Sequence, residues 1–274
     1  MKFVACNRRV TNHFGKSLRL SICLLVATAG ISQGASPKLP DSLTFRPTVL
    51  LRQGITQGSG TVIASVDDET LILTAAHVVE KQESVTVELH RYNLGVEKTR
   101  SSEGWPRRVV GRVVARDASA DVAVVRVKGM KALPYVAKVV MEKDEPSQGT
   151  PVISVGIDKG ADLNSWSSEV RGVVRLDMDR GGGDRPFLVT TLPPEHGRSG
   201  GGLFRGADGA IVGVCVGRVE MSQGRKVGVF ASGASIRRLL RENALEGSVA
   251  ISRINRLKPP RPAVERTDRK SRTL

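Results

Sequence analysis

From residue 48 onward the sequence is a succession of short apolar runs separated by turn residues: TVLLRQGI, GTVIASV, TLILTAA, SVTVELH, RVVGRVVAR, DVAVVRV, PVISVGI, EVRGVVRL, PFLVTTL, AIVGVCVG and KVGVFAS. Val, Ile and Thr dominate these eleven runs. Such β-branched side chains pack well on a pleated surface and lose rotamer freedom in a helix. No ten-residue helical pattern lies between the runs, which argues against parallel strands joined by crossover helices. The chain reads as an antiparallel all-β fold, a barrel or a pair of barrels. SVDDETLIL reads as a hairpin. The one convincing helix comes late, in ASIRRLLREN (234–243), where Ile236, Leu239 and Leu240 make an apolar stripe.

The two ends differ from this middle. Lys2, Arg8, Arg9, Lys16 and Arg19 face no acid within the first 35 residues, and the apolar run LSICLLVATAGI (20–31) and the small residues of SQGAS follow. That order is the pattern of an export signal, and the run is shorter than the roughly 20 residues a membrane span needs. Its competitor is a buried helix of the mature domain. Cleavage is expected after Ala29 or within SQGAS, and Cys23 lies inside the run, which speaks against a lipid anchor. The expected organisation is a signal peptide and linker (1–35), one β domain (36–243) and a basic, proline-containing disordered tail (244–274). The stretch from Ser252 to Leu274 has eight Lys or Arg against Glu265 and Asp268 in a chain of net charge +15. Such a tail is solvated by default; attraction to an anionic partner (nucleic acid, anionic lipid or cell-wall polymer) is the other reading. The expected location is periplasmic or extracellular. Cys6 and Cys23 would leave with the signal, so Cys215 would stand alone and no disulfide or metal-binding cysteine pair is available. No metal or other cofactor is expected, and the three glycines of RLDMDRGGGDRP (175–186) lack the GK[ST] of a phosphate-binding loop.

PPEHGRSGGGLF (193–204) poses the chemical question. A serine hydroxyl is a poor nucleophile until a neutral imidazole takes its proton, and a carboxylate must hold that imidazole in the right tautomer. The sequence has four histidines: His13, His77, His90 and His196. His13 lies in the signal, His90 ends a strand as a surface residue, and His196 is too close along the chain to Ser199 to make a good base. His77 follows an apolar strand in LILTAAHVVE, where small alanines let the backbone turn and aim the ring into a cleft. Asp121 opens the apolar strand DVAVVRV, where an acid is costly to bury unless paired. GRSGG also fits the nucleophile elbow of α/β-hydrolases, but there the histidine follows the serine, and none follows Ser199. The order His77, Asp121, Ser199 is that of the chymotrypsin-type double barrel.

GSGTVIAS with LILTAAHVV, ARDASADVAVVRV, FLVTTLPPEHGRSGGGLF and AIVGVCVGRV with KVGVFAS together resemble the trypsin-like peptidases, most of all their bacterial HtrA/DegP-type branch, over about residues 48–240. The resemblance implies two antiparallel six-stranded β-barrels with a short C-terminal helix, and a serine endopeptidase acting on polypeptides. Ser199 would be the nucleophile, His77 the base and then the acid, and Asp121 the group that orients it. The backbone N–H groups of Gly197 and Ser199 would form the oxyanion hole. Pro193 falls at the floor of the specificity pocket, which implies a small or medium apolar residue on the acyl side of the cut. The strand through Cys215 and Val216 would pair with the substrate backbone. The family usually has Asn or Asp where this chain has Arg198, and Pro or Ala where it has Gly202. Arg198 is expected to point to solvent or to find an acid such as Glu195. Residues 175–186 read as a flexible loop first and an activation element second. The stretch after Asn243 is too short for the PDZ domain common in HtrA proteins, so no PDZ-mediated partner is expected, and the oligomeric state is left open. The competing reading is a weak or inactive protease-fold binding protein whose basic surface meets anionic partners.

Overall fold

The computed structural model describes residues 3–5, 8–9, 39–96, 104–140, 142–178, 183–221 and 224–257. Two short strands, β1 (Phe3–Ala5) and β2 (Arg8–Arg9), precede two rings of strands. The first ring contains β3 (Thr48–Gln53), β4 (Thr56–Val66), β5 (Glu69–Thr74), β6 (Ser84–Leu89), β7 (Arg107–Asp117) and β8 (Val122–Lys128). It closes in the order β3-β4-β5-β8-β7-β6, antiparallel throughout.

The two-residue β9 (Lys138–Val139) leads into the second ring: β10 (Pro151–Asp158), β11 (Asp162–Leu176), β12 (Arg185–Thr190), β13 (Gly202–Arg205), β14 (Ala210–Glu220) and β15 (Lys226–Ser232). These pair in the order β13-β10-β11-β12-β15-β14, and an additional β13–β14 pairing joins the two ends. The chain is therefore a double barrel of the chymotrypsin type, as the resemblance implied. All eleven apolar runs are strands, and SVDDETLIL is a hairpin in which Val66 pairs with Glu69 around Asp67 at φ 52°. The sequence reading passed over β13, a four-residue strand that opens on glycine.

Burial follows each strand's place in the rings. β7 leaves Arg108, Val110 and Arg112 exposed on one face, the two-residue period of a strand with one wet side. β10 buries every residue after Pro151, and β14 buries Ala210 through Gly217, because these strands are covered on both faces. Each fully buried Val or Leu contributes roughly 1.5–3 kcal/mol relative to leaving it in water.

The C-terminal helix α2 (Gly233–Glu242) forms where expected, capped by Ser232, whose hydroxyl accepts from the Ser235 N–H, with Ile236, Leu239 and Leu240 buried. A further helix, α3 (Glu246–Leu257), corrects the expectation of disorder from residue 244. It is held by tertiary contacts that its own pattern barely signals. Leu245 is buried at its start, Val249 packs on the core, and the Ser252 hydroxyl accepts from the Ser65 N–H of β4 at 3.0 Å. A small polar residue at the contact point breaks the apolar stripe that identifies an amphipathic helix. Residues 258–274 lie outside the described residues, as does the export-signal pattern apart from β1 and β2. Among the described residues no helix is long and apolar enough to cross a membrane.

Candidate active site

β5 ends at Thr74, and the buried Ala75 and Ala76 let the chain tighten into a 3-10 turn over Ala76–Val79. Val78 and Val79 of that turn go into the core. His77 stays partly open, its side chain 21% exposed. Asp121 sits in the last position before β8 at φ 53°, a left-handed conformation that Asp tolerates better than most residues with a Cβ. Its carboxylate takes two bonds from one residue. The His77 backbone N–H donates to Oδ1 at 2.8 Å, and the His77 ring Nδ1 lies 2.6 Å from Oδ2. An ionised carboxylate only accepts, so Nδ1 holds the proton and the neutral ring keeps its lone pair on Nε2. Nε2 is buried and has no hydrogen-bond partner among the described residues. Burial alone would lower the His77 pKa, but the charge and hydrogen bond of Asp121, with a smaller pull from Glu80, outweigh it and hold the ring above its ordinary 6.5.

Ser199 comes from the second barrel and is 2% exposed. The loop that carries it lies against the turn that carries His77. A Cβ on Gly200 would come within 2.2 Å of Thr74 Oγ1 and 3.0 Å of the Ala75 nitrogen, and Gly200 has φ 83°, so only glycine fits there. The Ser199 hydroxyl is turned to the Val216 carbonyl at 3.5 Å, a long contact, and makes no hydrogen bond to His77. The structure thus joins His77 and Asp121 directly and packs the Ser199 loop against the turn that carries His77, with the Ser199 hydroxyl facing Val216. Catalytic hydrogen bonds are often loose in a free enzyme and tighten when substrate binds.

Two peptide planes beside Ser199 are fixed by their carbonyls. The His196 carbonyl accepts from Lys159 N–H at 2.7 Å, and the Arg198 carbonyl from Gly201 N–H at 2.8 Å. In a trans peptide the C=O and the following N–H point in opposite directions. The N–H groups of Gly197 and Ser199 therefore point away from those two bonds.

Of the three residues expected to bind substrate, Pro193 is half-buried at the foot of this loop. Val216 is the extra residue of a β-bulge in β14, between the pairs Cys215–Phe230 and Gly217–Val229. The Cys215 N–H donates to Gly201 O and its carbonyl accepts from Gly200 N–H, both at 2.8 Å, so its N–H is taken by the serine loop while the carbonyl keeps a second lone pair. The next stretch, Gly217–Val219, pairs antiparallel with β1. His196 is exposed. His90 is half-buried rather than a simple surface residue: it caps α1 (Arg91–Leu94) and stacks on Tyr92.

Two contributors went unnoticed in the sequence. Ser59 of β4, inside the motif GSGT, bridges the barrels. Its N–H donates to Ser199 O at 2.7 Å, its hydroxyl to Gly197 O at 3.0 Å, and its carbonyl accepts from Thr74 Oγ1 at 2.8 Å. The second is Asp158 at the end of β10. Arg198 does not turn to solvent or to Glu195; it is completely buried and pairs with Asp158. A lone acid closing an apolar strand was the available signal, the same one that marked Asp121.

This double barrel, with a histidine–aspartate pair on one ring and a serine in a glycine-rich loop of the other, defines a class. Residues 58–214 match the trypsin-like peptidase domain family, and the chain belongs to that family of serine endopeptidases. Among solved structures, the inactive form of a serine-to-alanine mutant of Rv3671c from M. tuberculosis H37Rv is 23% identical. The alignment covers 77% of this chain and 95% of that one with a TM-score of 0.56. The active form of the Rv3671c protease is also 23% identical, over 79% and 93% of the two chains, TM-score 0.57. The HtrA-type protease AlgW with a decapeptide is 16% identical, over 76% and 67%, TM-score 0.55. At these identities the likeness is one of fold. No curated protein matches the chain in sequence.

Proposed function

We propose that the protein hydrolyses peptide bonds by acyl transfer through Ser199, His77 and Asp121. The observation that carries this reading is the double contact of Asp121 with the His77 backbone and Nδ1, which leaves Nε2 free to take a proton. In the first step the Ser199 oxygen attacks the substrate carbonyl carbon while its proton passes to Nε2. The carbonyl oxygen becomes an anion, held by the Gly197 and Ser199 N–H groups. The tetrahedral intermediate collapses by breaking the C–N bond, and the imidazolium returns the proton to the leaving amine. A water then repeats the sequence on the acyl-serine, releasing the acid and restoring the hydroxyl. Asp121 stays ionised throughout and stabilises the imidazolium.

The substrate would lie as an added antiparallel strand along Gly217–Val219 of β14, a mode supported by the pairing of β1 on that same edge. Pro193 offers no charge to a basic side chain, in keeping with a small or medium apolar residue before the cut. Cleavage of a peptide library tests this, and a strong preference for Arg or Lys overturns it. We place the protein outside the cytoplasm on the strength of residues 1–35, with the basic tail available to an anionic partner. Cell fractionation with N-terminal sequencing of the mature chain tests the location.

A fluorophosphonate probe tests the central claim. Labelling that Ser199→Ala abolishes supports the enzyme. Folded wild-type protein that takes no label supports a binding protein on a protease scaffold, a reading favoured by the present aim of the Ser199 hydroxyl at Val216.

A further inference from the structure

The residue before Ser199 is the largest side chain completely buried in the described molecule. A cation there demands a reason, since an unpaired charge in the interior is costly. Arg198 lies in a fitted socket on the second barrel. Its Nε donates to Asp158 Oδ1 at 3.0 Å and Nη2 to Asp158 Oδ2 at 2.9 Å, a two-pronged pairing. Nη1 donates to the Ser154 carbonyl at 3.0 Å, Nη2 also meets the Asn164 side-chain oxygen, and Asn164 Nδ2 donates in turn to Asp158 Oδ2 at 2.8 Å. The guanidinium plane sits 5.3 Å from the centre of the Trp166 ring. Every partner belongs to β10 or β11. The strand beneath is cut to receive the stem: a Cβ on Gly156 would come within 2.8 Å of Arg198 Cγ. Glycine weakens a strand interior unless something must approach closely.

The loop so anchored needs an anchor. Gly197 and Gly200 take φ of 92° and 83°, and glycine loses more conformational freedom on ordering than any other residue. Between these two glycines, Arg198 is the side chain that reaches down into the barrel. Resting on the reading of Ser199 as nucleophile, we infer that Arg198 is a positioning residue: its pairing with Asp158 holds the His196–Gly201 loop so that the Gly197 and Ser199 N–H groups are preset for the oxyanion. The order of the loop is thus supplied from within the second barrel, by a side chain next to the nucleophile. Arg198 touches no reacting atom; it acts through the two peptides on either side of it.

The test compares Arg198→Ala, Arg198→Lys and Asp158→Asn with wild type and Ser199→Ala in the full chain, using a chromogenic peptide substrate. Removal of one oxyanion donor costs about 100- to 1000-fold in turnover, so Arg198→Ala is expected to lose about that much in kcat with KM changed less than about threefold. Lysine cannot form the two-pronged contact, so Arg198→Lys is expected to fall in between. Millimolar guanidinium, well below denaturing concentrations, should restore much of the kcat of Arg198→Ala and leave Asp158→Asn unimproved. Trp166 emission, read in a Trp105→Phe background, should shift in Arg198→Ala and return with guanidinium. A folded Arg198→Ala protein with wild-type kcat and no response to guanidinium overturns the inference. Should Arg198→Ala not fold, Arg198→Lys and Asp158→Asn decide it by the same split: lowered kcat at steady KM supports the anchor, and lost stability with normal kcat overturns it. Wild-type protein without activity, or activity surviving in Ser199→Ala, would instead bring down the assignment of the nucleophile.

Discussion

The two barrels contribute unequal halves of the site. The first supplies an assembled pair: His77 and Asp121 come from one ring, and a single carboxylate grips the backbone and the ring of the histidine together. The second supplies Ser199 on a glycine-rich loop whose backbone is pinned in place while its hydroxyl faces Val216. Between them run a few bridges, Ser59 above all, with Arg185 of β12 paired at 3.0 Å to Asp117, the last residue of β7 before the turn that presents Asp121. On the proposed reading the proton acceptor is complete within one barrel, whereas the meeting of acceptor and nucleophile depends on how the barrels are held together. Substrate lying on β14 would then complete that meeting.

Substitutions on each side of this division should have graded effects. The largest belongs to the nucleophile: Ser199→Ala should lower kcat on the order of 10⁶-fold while the fold and the His77–Asp121 contact survive, as measured by peptide hydrolysis and circular dichroism. Asp121→Asn should cost on the order of 10⁴-fold, because the amide keeps the geometry but favours the wrong imidazole tautomer. A loss of only a few fold would mean that the pair within the first barrel is structural. Ser59→Ala attacks the bridge. It removes a donor to Gly197 O and strands the Ile157 N–H that the hydroxyl accepts at 2.8 Å. The expected loss of stability is about 1–3 kcal/mol by chemical denaturation. If the bridge sets the loop, kcat should fall with it, and a stability loss without any kcat change would confine Ser59 to folding.

The first barrel's half of the site was legible because its signals are local. His77 follows an apolar strand and two alanines, and Asp121 opens another, so an unusual polar residue at a strand end announces itself. The double barrel was legible for a related reason, since short runs of Val, Ile and Thr bounded by turn residues survive in every strand long enough to show them. What the sequence concealed was set by contacts distant along the chain. The partner of Arg198 lies 40 residues away on β10, and Ser59 meets Gly197 across 138 residues. The helix α3 is fixed by Ser252 on Ser65, a contact no periodicity encodes. The bonds of Cys215 to Gly200 and Gly201 were hidden likewise, because a strand's sequence does not reveal which of its backbone groups a neighbouring loop engages.

The smallest effect is the sharpest test of whether the first barrel's pair exists before substrate arrives. Asp121 and Glu80 hold the His77 pKa above 6.5 against the opposing pull of burial. Only the neutral ring can accept the serine proton, so kcat/KM should rise with pH through a midpoint above 6.5, and because kcat/KM reports the free enzyme, the raised value should already appear there. Stability should respond with the opposite sign. A group with a raised folded-state pKa binds more protons folded than unfolded, so its contribution is complete below 6.5 and is lost as pH rises through the folded value. Just above 6.5 the protein should therefore gain activity as it gives up this part of its stability. Asp121→Asn removes the charge that raises the pKa and leaves burial in control, so the His77 titration, followed by NMR in the Ser199→Ala background, should move to the acid side. A midpoint at or below 6.5 in the parent, or one that Asp121→Asn does not move, would mean that the pair is not formed in the resting protein and that substrate assembles both halves of the site.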